Sequence, residues 1–173
     1  IGRGFEYSLS FYDGFNHLPL FDLTIASFPP PRVGIERRYP QMRMYGADAA
    51  VPLPWFTVKS EAAYFSSSTP QADQYVLYVV QLERMAGEWF FVGGYAGEAV
   101  TSSRNSLDFA PDRGLTGAFL GRAGYTIDAN RNLAWEAALR DNGDGLWLKF
   151  EYSHALGQHW RATAGFTWIR GSP

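Results

Sequence analysis

Residues 75–99 read YVLYVVQLERMAGEWFFVGGYAGEA. Val76, Tyr78, Val80 and Leu82 take every second place against Val79, Gln81 and Glu83. After Met85-Ala86-Gly87-Glu88 the pattern resumes, with Trp89, Phe91 and Tyr95 against Gly94, Ala96 and Glu98. Successive side chains of a strand point to opposite faces, so the stretch predicts a tight antiparallel hairpin with one apolar face and one mixed polar face. Soluble sheets alternate in the same way. The open question is which solvent each face meets.

The pattern repeats on both sides of this hairpin. Upstream, FTVKSEAAYF sets Phe56, Val58, Ala62 and Tyr64 against Thr57, Lys59, Glu61 and Ala63, and FEYSLSFYDG sets Phe5, Tyr7, Leu9 and Phe11 against Glu6, Ser8 and Ser10. QMRMYGADAAV lies between these two with weaker alternation. Downstream, LTGAFLGRAGYTID, LAWEAALRD, LWLKFEYSH and WRATAGFTWIR each carry an apolar row opposed by polar residues. The segment 14–40, with the triple proline Pro29 to Pro31, is too long for an ordinary connection and is read as a long external loop. A short hairpin, Phe21 to Ser27 against Val33 to Arg38, is expected inside it. The prediction is one all-β domain over residues 1–173: an antiparallel up-and-down meander of about nine long strands, with no helix.

Composition narrows the function. A net charge of −2 gives no electrostatic reason to expect a nucleic-acid partner, and the absence of cysteine excludes disulfides and thiolate metal sites. Aromatics make up 17% of the chain, which favours strands over helices. No run reaches the roughly 18 apolar residues of a spanning helix, and no signal peptide opens the chain. The start at Ile1 and the loop-like ending Gly171-Ser172-Pro173 suggest a piece of a longer processed protein.

Three features favour a bilayer against the apolar rows. Most segments alternate over roughly 9 to 11 residues, the length a tilted strand needs to cross a hydrocarbon core. Short links (PLP, MAGE, DANRN, ALGQ) alternate with the longer segments 14–40, 66–74 and 100–114, as periplasmic turns alternate with external loops in membrane barrels; DNGDG is a short exception. The aromatics sort by level. Phe5, Tyr7, Phe56, Trp89, Tyr125, Trp135, Tyr152 and Trp160 fall near the short-turn rim, and Phe11, Tyr64, Tyr95 and Trp168 near the other, with Leu, Val and Ala between. Aromatic girdles flank the apolar band of outer-membrane barrels in this way.

The opposite face carries Lys59, Glu61, Glu83, Arg122, Glu136, Arg140, Lys149, Glu151 and Arg161 in mid-strand, where contact with lipid would cost several kcal/mol per charge. These nine are the predicted pore-lining residues. Signs alternate between neighbouring strands, so Arg122 with Glu136, Arg140 with Glu151, and Glu151 with Arg161 are expected as cross-strand pairs.

The motifs YSLSFYDG, MRMYGADAA, VKSEAAYF and WRATAGFTWIRG resemble those of porin-like outer-membrane barrels of proteobacterial, Gram-negative type, and the likeness spans nearly the whole chain. Full-length members of that family have an even strand count and a C-terminal strand ending in an aromatic residue. This chain has an odd count and a Ser-Pro ending, so the resemblance implies at least one further strand after Trp168 and several before Phe5.

Other chemistry finds little support in the residues. His154 and His159 flank one turn, but no third metal ligand accompanies them. Ser153 and His154 point to opposite faces of one strand and no GxSxG is present, so no catalytic residue and no enzyme is expected. DNGDG lacks the acidic spacing and closing glutamate of a calcium loop and reads as a turn. Arg32, Arg37 and Arg38 suit lipopolysaccharide phosphates, a pore lining or plain solvation equally well.

The expectation is therefore a porin-like channel in the bacterial outer membrane, passing small hydrophilic solutes without a cofactor. Its partners would be outer-membrane lipid and lipopolysaccharide, and a homo-oligomer is compatible with it. The alternatives are a non-transporting outer-membrane scaffold or adhesion barrel, and a soluble β-barrel that binds an apolar ligand on an inward apolar face.

Overall fold

A computed structural model of the chain describes residues 4–26, 32–103 and 117–171. Among the described residues the protein is all-β, with eleven antiparallel strands. Nine form one sheet: β1 (Glu6–Phe15), β4 (Gln41–Pro52), β5 (Thr57–Ser66), β6 (Gln74–Ala86), β7 (Trp89–Ser102), β8 (Ala118–Asp128), β9 (Arg131–Arg140), β10 (Gly145–Leu156) and β11 (Trp160–Gly171). They pair in that order, each with its neighbour, as the alternation predicts. The remaining two, β2 (Leu20–Ala26) and β3 (Arg32–Arg38), make the separate hairpin expected within 14–40.

The strands of the large sheet run 10 to 14 residues, longer than the five or six usual in soluble domains. The segment 14–40 is shorter as a loop than expected, because β1 continues to Phe15 and the Asn16 amide donates to the Pro40 carbonyl at 2.9 Å. Gly171, read from sequence as loop, belongs to β11. The predicted loop over 100–114 lies mostly outside the described residues, as do Leu115 and Thr116.

The β6–β7 link is tighter than the four residues expected. Ala86 faces Trp89, and only Gly87 and Glu88 intervene. Gly87 has φ 60°, the left-handed conformation that glycine adopts without steric cost at the first central position of a two-residue hairpin. The short links lie together on one rim, and the links after β1, β5, β7 and β9 lie on the other. The link after β9 is itself short, as the exception at DNGDG requires.

There is almost no core. Among the described residues the buried hydrophobic side chains are Tyr75, Ala96 and Ala118, and no large side chain is fully buried. Leaving a Phe, Leu or Val in water rather than burying it forgoes about 1.5–3 kcal/mol. Yet Leu9, Phe166 and Ile169 are 78%, 68% and 71% exposed. The molecule is a single layer with two exposed faces. It is also open: β1 pairs only with β4 and β11 only with β10, so the sheet does not close into a barrel among the described residues.

Candidate functional site on the concave face

Because side chains alternate, the registers assign every strand residue to one of two faces. Following Phe11↔Tyr45↔Tyr64↔Val76 across β1, β4, β5 and β6, then Tyr95↔Phe119↔Leu139↔Leu146 across β7 to β10, traces one continuous apolar face. Its charged residues are confined to strand ends, with Asp13, Arg43 and Arg170 on the long-loop rim and Arg84 and the paired Arg131 and Asp128 on the short-turn rim. All nine predicted pore-lining residues fall on the opposite face.

Exposure reveals which way the sheet curls. On β4, Met42, Met44 and Gly46 of the ionic face are half-buried, while Arg43, Tyr45 and Ala47 of the apolar face are exposed. The same alternation runs through Val79 to Arg84 and Trp89 to Gly94. Side chains crowd on a concave surface and splay on a convex one, so over β4, β6 and β7 the ionic face is the concave one, while on β8 the order reverses locally at Arg122, exposed between half-buried Gly121 and Ala123. Gly93 and Gly94 show the bend at one point. A Cβ on Gly93 would meet nothing within 4 Å, whereas one on Gly94 would lie 2.7 Å from the Val80 carbonyl oxygen and 3.0 Å from the Gln81 Cβ. Glycine in a strand marks such a close backbone approach.

The concave wall holds several ion pairs. Lys59 Nζ lies 2.8 Å from Glu83 Oε2 across β5 and β6, Lys149 Nζ lies 3.0 Å from Glu151 Oε2 along β10, and Arg122 Nε lies 3.6 Å from Glu136 Oε1. Arg122 and Glu136 stand directly opposite, as predicted. The other two predicted pairs are not formed. Glu151 faces Ala134 on β9 and Gly165 on β11, which puts it six residues from the level of Arg140 and four from Arg161. Lys149 takes the place assigned to Arg140 and faces Glu136.

Charge is unevenly distributed across this wall. On β1, β4, β5 and β6 it carries Glu6, Asp48, Glu61 and Glu83 against Lys59 alone. On β8 to β11 it carries Arg122, Arg140, Lys149 and Arg161 against Glu136 and Glu151. Asp48 and Glu61 face each other directly, an unfavourable like-charge opposition, and the Ser8 hydroxyl donates to Asp48.

On the convex face the predicted aromatic residues cluster by level. Trp89 sits 4.7 Å from Tyr125 and 5.8 Å from Trp135 near the short turns. Phe11, Tyr45 and Tyr64 form a chain near the long loops, and Tyr95 lies 5.0 Å from Phe119. Tyr152, Trp160 and Trp168 lie on the same face of β10 and β11, while Phe56 belongs to the link before β5. The expected aliphatic middle is not free of rings, because Tyr78, Phe150 and Phe166 occupy it.

One feature of the wall escaped the sequence reading. Tyr12, Met44, Phe65, Tyr75 and Val100 share one level on the concave face, an apolar row across five strands, with Phe65 stacked on Tyr75 at 4.8 Å. Each of them was visible as an apolar residue out of phase in its own strand. Only four successive registers align them.

Among the described residues no group of three His, Asp or Glu could hold a metal ion, and no helix is long and apolar enough to cross a membrane, which says nothing of crossing by strands. Comparison with protein-family models, with curated proteins and with solved structures returns no match to this chain.

Proposed function

We propose that the chain forms part of the wall of a transmembrane β-barrel in a bacterial outer membrane and acts as a porin-like channel for small hydrophilic solutes. One observation carries the reading: the convex face is apolar and free of mid-strand charge, while the concave face holds the ions. A soluble barrel needs the reverse curl, with its apolar face inward.

The dimensions agree. Short of Arg170 the convex face of β11 runs uncharged from Trp160 to Trp168. Some eight or nine residues at about 3.3 Å each, tilted by about 40°, cover roughly 20 to 25 Å, near the height of the apolar band of outer-membrane barrels. The Trp89, Tyr125 and Trp135 cluster then lies at one headgroup level and the Phe11, Tyr45 and Tyr64 chain at the other. The concave charges would set the field along the aqueous path.

The non-transporting scaffold keeps one observation in its favour, since Lys59 with Glu83 and Lys149 with Glu151 already compensate each other. Planar-bilayer recording separates the two readings. Reproducible unitary current steps are expected of a channel, and silent bilayers with correctly inserted protein would overturn it in favour of a scaffold. Full solubility without detergent would overturn both.

A further inference from the structure

We infer that the apolar row on the concave wall is a binding site for ring-bearing organic cations, which deepens and rests on the channel reading above. The row gathers its apolar residues at one level of a mixed face, where Leu77, Val79, Phe90 and Val92 also stand among Ser10, Asp48, Lys59, Glu61 and Gln81. Its neighbours one level toward the short turns are Ser10, Gly46, Ala63 and Leu77, and the Ser10 hydroxyl and the Met44 thioether fill the space beside Gly46. Tyr12 is 44% exposed and Met44 and Phe65 are half-buried, whereas Tyr75 at 8% is buried and serves to hold the Phe65 ring by stacking. The surface offered to a solute is therefore a phenol, a thioether and a phenyl ring. Aromatic faces attract cations through their quadrupole, and thioethers pack favourably against rings.

The sign of the ligand follows from the surrounding charge. On the five strands of the row the concave face carries Glu6, Asp48, Glu61, Glu83 and Glu98 against Lys59 alone, Glu98 stands one level from the row opposite Leu77, and Lys59 is engaged by Glu83 at 2.8 Å. A ring-bearing anion would meet this field unfavourably, and a neutral ring would gain only contact with the row. A solute joining an apolar ring to an ammonium gains from both.

The test is equilibrium binding of phenethylammonium, phenylethanol and phenylacetate to the detergent-solubilised chain by calorimetry or ligand-observed NMR. The expected order is the cation first, about tenfold ahead of the neutral analogue, with the anion weakest. Phe65→Ser together with Met44→Ser should remove about a tenfold share of cation affinity, and Phe65→Leu, which keeps the packing, should retain part of it. Equal binding of the three probes, or no effect of the double substitution in a chain with unchanged strand content, would overturn the site. Absence of binding alongside intact unitary conductance would overturn the site alone. Binding without conductance would support the site and remove the channel.

Discussion

Val79 and Val80 are adjacent, chemically identical and both central in β6, yet they lie on opposite faces of the sheet. Val80 is 46% exposed on the convex face, in a row with Ser60 and Tyr95; Val79 is half-buried on the concave face, opposite Glu61 and Ala96. The contrast teaches that a residue in a single-layer sheet is defined less by its own hydrophobicity than by the parity of its position and the direction of curl.

The sharpest way to break this comparison is an arginine on each side of it. Val80→Arg should cost about 2–4 kcal/mol of folding stability in lipid vesicles, because the charge would sit near the bilayer midplane. Val79→Arg, beside Glu61, should change it by less than about 1 kcal/mol. Urea titration of vesicle-inserted protein measures both. Equal losses would show that the two faces do not meet different solvents.

A smaller pair of effects tests the curl itself. Gly94→Ala forces a methyl against the Val80 carbonyl and the Gln81 side chain and should destabilise by about 1–3 kcal/mol, while Gly93→Ala, with open space around it, should be neutral or slightly stabilising. A reversal of that order in the same titration would mean that the sheet bends the other way.

Tyr95→Phe probes how the long-loop rim of the convex face is anchored. The Tyr95 hydroxyl donates to Asp141 Oδ2 at 2.8 Å, tying the β7 wall to the β9–β10 link, and its loss should cost about 1 kcal/mol by the same measurement. The weakest effect belongs to the concave wall, where Arg122 and Glu136, more than half and about a third exposed, are 3.6 Å apart. A double-mutant cycle with Arg122→Gln and Glu136→Gln should return a coupling under about 0.5 kcal/mol. A coupling above about 2 kcal/mol would indicate a dry wall rather than a wet one.

Much of this arrangement was legible residue by residue. Lys59, Glu61 and Glu83 were assigned to the ionic face, and Tyr64, Trp89 and Tyr95 to the apolar one, from local alternation alone. The hairpin inside 14–40 was placed within one or two residues of Leu20–Ala26 and Arg32–Arg38, because apolar runs flank the triple proline. The failures concern partners. Arg140 and Glu151 carry the right signs on adjacent strands, but the register sets them six residues apart, and the four-residue link after β9 is what determines that offset.

By itself the sequence determined the period of alternation, hence which side chains share a face and which strands are neighbours; with a repeat of two residues, parity along each strand leaves no other freedom. Only the tertiary structure decided which ions meet, which face is concave, and that Tyr12, Met44, Phe65 and Tyr75 form one row. Those properties depend on the relative slide of neighbouring strands and on the bend at positions such as Gly94, and both sum over several connections that no single strand encodes.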